Sequence, residues 1–122
     1  MKKKLTKIIA ICTIVLATPQ AWAENIVLIN PFKVPENKLA ESIQFWESAR
    51  DFLSTQPGYV STKLHHSLDE NSEYQLINVA EWESKQSFDL AHKRMKSYFK
   101  SNQISPPKGL SNVPTLYTVI RK

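Results

Sequence analysis

The stretch that decides the fold is Tyr59–Trp82, YVSTKLHHSLDENSEYQLINVAEW. Its two ends alternate with a period of two, the pattern of half-buried β-strands. Between them Asp69–Glu73, DENSE, is a run of turn formers. The stretch reads as a β-hairpin with strands over Tyr59–Leu68 and Tyr74–Trp82. A turn centred on Asn71 sets Val60 opposite Trp82, Thr62 opposite Ala80, Leu64 opposite Asn78 and His66 opposite Leu76. That face, which Leu68 extends, is mostly apolar and is expected beneath helices. The other face carries Tyr59, Ser61, Lys63, His65, Gln75, Ile77, Val79 and Glu81, and is apolar only around Ile77 and Val79.

Working outward, Asn25–Val34, NIVLINPFKV, reads as a first strand, and Pro31 within it argues for an edge position or a bulge. In the next segment Leu39, Ile43, Trp46, Ala49 and Leu53 recur at helical spacing, giving an amphipathic helix from about Pro35 to Ser54, closed off by Pro57-Gly58. Beyond the hairpin, Ser84 is a natural N-cap for a second helical segment, expected in two pieces, with Phe88, Ala91, Met95 and Phe99 as its apolar stripe. Pro106-Pro107 and Gly109 break the chain before a last strand, Thr115–Lys122. The order β-α-β-β-α-β predicts an α+β ferredoxin-like sandwich, a four-stranded antiparallel sheet with both helices on one face. The uncovered, half-apolar sheet face invites a second copy, so a homodimer is expected.

The chain opens with a leader. MKKKLTK is a positive segment, IIAICTIVLA a ten-residue apolar core too short to span a bilayer, and Ala21-Trp22-Ala23 supplies the small residues of a cleavage site. Residues 1–23 therefore read as a signal peptide and residues 24–122 as one domain, exported to the periplasm or the medium and free of the membrane after cleavage. Cys12 lies inside the leader, so the exported domain has no cysteine and must stand on its core. The charge of +5 belongs largely to the leader lysines; residues 24–122 hold twelve basic and eleven acidic side chains. Nothing in that balance suggests nucleic acid.

Several chemistries are excluded by composition. Gly58 and Gly109 are the only glycines, too few for a phosphate or dinucleotide loop. His65 and His66 point to opposite faces of a strand, and His92 has no acidic residue four positions on, so no metal site is expected. What remains is polar chemistry on an apolar face. Asn78 stands mid-strand, four residues before Trp82 and near His66. Each alone could be structural: an amide bridging an irregularity, a satisfied core histidine, an indole filling the core. Together they form the pattern of a ligand pocket with a few placed polar groups.

Pro57–Phe88, PGYVSTKLHHSLDENSEYQLINVAEWESKQSF, resembles the antibiotic biosynthesis monooxygenase (ABM) domain. The resemblance implies a dimeric α+β barrel, in which two ferredoxin-like sheets pack face to face. In the family's cofactor-independent polyketide oxygenases an Asn and a Trp four residues apart sit between sheet and helices, and here they fall on Asn78 and Trp82. A pocket histidine of that pattern falls on His66. A helix tyrosine falls on Phe88, which lacks its hydroxyl, and the pocket arginine finds a counterpart only in Arg94. Leu64, opposite Asn78, joins the expected substrate-binding residues. Asn30 matches the first-strand Asn of the family's haem-degrading members, but their helix Trp falls on Ala91 and no histidine follows His92.

Two functions follow. The first is a monooxygenase without flavin or metal, joining O2 to an aromatic, phenolic or quinol-like molecule. Trp82 would pack the ring, Asn78 would hydrogen-bond an oxygen and His66 would exchange the proton. The second is a non-catalytic dimeric module that binds a small hydrophobic molecule.

Overall fold

The computed structural model describes residues 24–122 and Ala10; the rest of the expected leader lies outside the described residues. The elements run β1 (Ile26–Lys33), α1 (Leu39–Leu53), β2 (Tyr59–His66), β3 (Leu76–Trp82), α2 (Lys85–Ser101), β4 (Ser111–Asn112) and β5 (Thr115–Thr118). The strands form one antiparallel sheet in the order β2-β3-β1-β4, with β5 also pairing β1. This is the ferredoxin-like α+β fold, two helices packed on an antiparallel sheet.

The inner face is built by alternation. Leu28, Asn30 and Phe32 of β1 and Leu76, Asn78, Ala80 and Trp82 of β3 are all buried. From α2, Ala91 and Phe99 are buried against them, and Phe45 of α1 meets Phe99 edge-on at 5.6 Å between ring centroids. Each large apolar side chain so enclosed contributes roughly 1.5–3 kcal/mol.

Several expectations need correction. The final strand is two short pieces, β4 and β5, both paired to β1 and separated at Val113-Pro114. Pro31 lies in the central strand, not at an edge; its carbonyl accepts from the Val113 amide at 3.0 Å, and its missing N–H coincides with the gap between β4 and β5. The second helix is continuous over Lys85–Ser101, because no proline or glycine interrupts it and the Ser84 side chain accepts from the Ser87 amide at its start. The first helix begins at Leu39, since Pro35–Lys38 forms a turn in which the Lys38 amide bonds the Pro35 carbonyl and Asn37 has φ 61°.

The hairpin register holds through most of its length: Thr62 faces Ala80, Leu64 faces Asn78 and His66 faces Leu76. At its start a bulge intervenes. Tyr59, not Val60, pairs with Trp82, and Val60 is the extra residue, pushed out to 41% exposure. Tyr59 thereby turns inward, opposite to the alternation inferred from sequence. At the far end β2 stops at His66, so Leu68 lies outside the strand and is fully exposed.

Candidate functional site

Between the sheet and the two helices lies a cavity of about 810 Å³, within the range of small-molecule sites. Its floor is a row of polar side chains crossing four strands. Thr62 of β2 donates from Oγ1 to Oδ1 of Asn78 on β3 at 2.6 Å. Asn30 of β1 is the cross-strand partner of Asn78, and its Oδ1 accepts from Nδ2 of Asn112 on β4 at 3.1 Å. All four line the cavity. The Asn78 carbonyl oxygen is therefore taken, while no side chain or carbonyl among the described residues receives its amide hydrogens. Those two donors are left for a ligand.

The walls are aromatic. Trp82 is almost completely enclosed, at 1% exposure. Tyr59 and Phe88 meet it edge-to-face at 5.6 and 5.9 Å between centroids. The bulge at Val60 brings Tyr59 into this cluster, and the first turns of α2 bring Phe88. Such offset and perpendicular arrangements are the favourable geometries for aromatic rings.

His92 completes the wall. Its ring lies 4.0 Å from that of Phe88 and 6.1 Å from that of Trp82, and it lines the cavity. Nδ1 lies 3.0 Å from the Phe88 carbonyl oxygen. A carbonyl only accepts, so Nδ1 carries the hydrogen and Nε2 keeps the basic lone pair. Burial holds this imidazole below the ordinary value of 6.5; the Phe88 bond opposes that, the Lys96 charge adds to it, and Asp89 opposes it again. The cavity thus holds a neutral histidine of fixed tautomer.

Of the residues singled out from sequence, Asn78, Trp82, Phe88 and Asn30 meet in this cavity. His66, Leu64 and Arg94 do not line it. His66 ends an edge strand and is exposed, although its partner Leu76 is buried. Leu64 is half-buried on the same strand. Arg94 is exposed and reaches Gln56 Oε1 at 3.5 Å, away from the site. Two residues missed from sequence take their places. His92 stands four positions after Phe88, so the apolar stripe of α2 already contained it. Arg50 stands four positions after Trp46; its guanidinium lies 5.2 Å from the Trp46 ring centroid and it lines the cavity.

Among the described residues no group of three or more histidine, cysteine or acidic side chains is placed to hold a metal ion, and no helix is long and apolar enough to cross a membrane.

Comparison with known proteins places the fold and the family. No curated protein sequence matches the chain. Among solved structures, a protein of Shewanella loihica PV-4, provisionally named a monooxygenase, is 47% identical, with 81% of this chain and 97% of that one covered and a TM-score of 0.73. SnoaB, a cofactor-independent oxygenase from Streptomyces nogalater, shares the fold at 18% identity, with 82% and 97% covered and a TM-score of 0.62. The haem-degrader MhuD of Mycobacterium tuberculosis, solved with two haems in its active site, shares it at 19% identity, with 80% and 97% covered and a TM-score of 0.62. The profile of the antibiotic biosynthesis monooxygenase family matches residues 25–98, and with the 47% identity to the Shewanella protein this establishes that the chain belongs to the ABM family.

Proposed function

We propose that the protein is an exported, homodimeric ABM-type monooxygenase that oxidises an aromatic, phenolic or quinol-type molecule with O2 and no bound cofactor. The observation that carries this reading is the meeting, in one cavity, of the free Asn78 amide, the aromatic cluster around Trp82 and the neutral His92.

The chemistry follows from those groups. A ring methylene conjugated to a carbonyl across the ring, as in an anthrone, gives a proton to His92 Nε2. The amide hydrogens of Asn78 stabilise the enolate oxygen, or the oxygen of the peroxide formed next. The enolate passes electrons to O2 and a carbon–oxygen bond forms. Cleavage of the O–O bond turns the methylene into a carbonyl with one atom of O2, and its two hydrogens leave in water with the other. Trp82, Tyr59 and Phe88 hold the ring and exclude bulk water. His92 takes the proton-transfer role first assigned to His66, which stands outside the cavity.

Oxygen uptake with a panel of anthrones and quinols tests the reading. The expected result is one O2 consumed per molecule oxidised by the metal-free protein, lost in Asn78→Leu and His92→Phe. Binding of panel members to the folded protein without uptake would replace the enzyme by a binding module.

A second reading, a haem-type ligand, is favoured by His92 alone. A neutral imidazole with Nδ1 tied to a carbonyl and Nε2 free fits an iron ligand, and bound iron would supply the activation of O2. Titration with haem, followed by its visible absorption in the parent and in His92→Ala, separates the two readings.

A further inference from the structure

The charged side chains lining the cavity are mostly of one sign. Arg50, Lys85, Lys93 and Lys96 line it, against the single carboxylate of Asp89. Residues 24–122 are nearly balanced, so this concentration is local. It is also ordered. Lys85, Asp89, Lys93 and Lys96 follow one another at spacings of three and four, forming a single ridge of α2, while Arg50 comes from α1.

Neighbouring carboxylates account for only part of it. Lys85 pairs with Asp89 at 2.6 Å, and Arg50 with Asp51 at 3.0 Å. Lys93 and Lys96 have no ion-pair partner among the described residues. Both are exposed while lining the cavity, which places them at its mouth. Below them the walls are the rings of Phe88, Trp82 and Tyr59, and the floor donates hydrogen bonds from Asn78.

Resting on the reading of this cavity as the ligand site, the geometry points to a planar aromatic anion as its ligand, with Lys93 and Lys96 holding a carboxylate or similar group at the mouth while the ring lies on the aromatic wall. A cleft lined by one sign of charge raises the local concentration of an oppositely charged ligand and orients it. A neutral ring of the same shape gains the wall but not the rim. The lysine stems also offer apolar cover to the part of the ring nearest the mouth.

The test uses the folded protein and two probes that are already fully oxidised and do not react with O2, an anthraquinone carboxylate and its uncharged amide, with binding read from quenching of tryptophan fluorescence. The carboxylate is expected to bind about tenfold more tightly than the amide at low salt, the preference shrinking as salt is added. The double variant Lys93→Gln/Lys96→Gln brings the ratio close to one. Lys100→Gln, on the same helix but off the cavity, keeps it, which excludes a general effect of net charge. Equal binding of the two probes, or a preference that survives in the double variant, overturns the proposal and leaves the oxygenase reading standing. A charge preference in a protein that consumes no O2 does the reverse. Failure of both probes to bind overturns the proposal, and the oxygenase reading is then decided by oxygen uptake alone.

Discussion

Thr62 Oγ1 donates a hydrogen bond of 2.6 Å to Asn78 Oδ1, joining the edge strand β2 to its neighbour β3 across the cavity floor. The bond gives Asn78 a structural tie and a ligand-facing amide at once, and the two can be separated. Asn78→Leu strands the Thr62 hydroxyl and should cost about 1 kcal/mol of stability. Thr62→Val/Asn78→Leu removes both partners and should recover most of that loss. Binding or turnover should fall in both variants. Thermal melts of the single and double variants, read beside oxygen uptake, decide it; a double variant as unstable as the sum of its parts would mean that the amide also supports the core.

His92 predicts a pH dependence with a definite sign. Its folded-state pKa is depressed, so between that value and 6.5 the unfolded chain binds more protons than the folded one. Stability from this group is full above 6.5 and is lost as the pH falls through 6.5 to the folded value. Activity should show an acid limb with its midpoint below 6.5, because the base must be neutral. Lys96→Gln should move that midpoint upward, since the Lys96 charge helps to lower it. A pH–rate profile that keeps the same limb in His92→Phe would assign the base elsewhere.

The outer sheet face should pair with a second copy. Val27 and Ile29 of β1 and Ile77 and Val79 of β3 are half-buried there with no helix above them, and Tyr117 of β5, paired to Val27, is 49% exposed. Val79→Glu should convert a dimer to a monomer, because a carboxylate buried without a partner costs several kcal/mol. Light scattering measures it, and a monomeric parent protein would end the dimer proposal.

Gly58 should tolerate no side chain. It has φ +85°, and a Cβ there would collide with Cβ and Oγ of Ser87. Gly58→Ala should lower stability by at least about 1 kcal/mol from the backbone conformation alone, with the clash added. Gly58→Ala/Ser87→Gly should relieve only the clash, so its melting temperature is expected between those of Gly58→Ala and the parent.

Export should leave Glu24 as the first residue. Mass spectrometry of the periplasmic or secreted protein tests this, and an intact membrane-bound precursor as the main species would contradict it.

Much of this molecule was legible from its sequence because most of its patterns are periodic. Alternation gave the hairpin, helical spacing gave α1 and α2, and the register from Thr62 to His66 followed from the turn. The bulge was not legible: Tyr59 and Val60 are both acceptable inner-face residues, and a one-residue insertion leaves no mark on the alternation before it. His66 was misplaced because strand phase says which face a residue is on, not whether anything covers that end of the sheet. Arg50 and His92 could have been found. Each sits four residues after a stripe aromatic, but polar side chains are discounted when an apolar face is traced, and a cavity wall needs both kinds. The division of labour between Phe88 and His92 depends on a backbone carbonyl, which no residue pattern displays.

The extra residue at Val60 makes the hairpin modular. Upstream of it, Tyr59 takes its phase from the aromatic cluster; downstream, Thr62 takes its phase from Asn78. The two stretches of β2 are thus uncoupled in side-chain direction although they are continuous in backbone. Ring packing can be retuned at residue 59 without rotating the hydroxyl at residue 62. Forcing Val60 into the regular ladder would turn either the tyrosine or the threonine out of the cavity, whereas deleting it would keep both inward, with Ser61 between them facing out. The smallest possible insertion lets a single strand furnish two surfaces that answer to different demands, one to the shape of a ring and the other to the position of an oxygen.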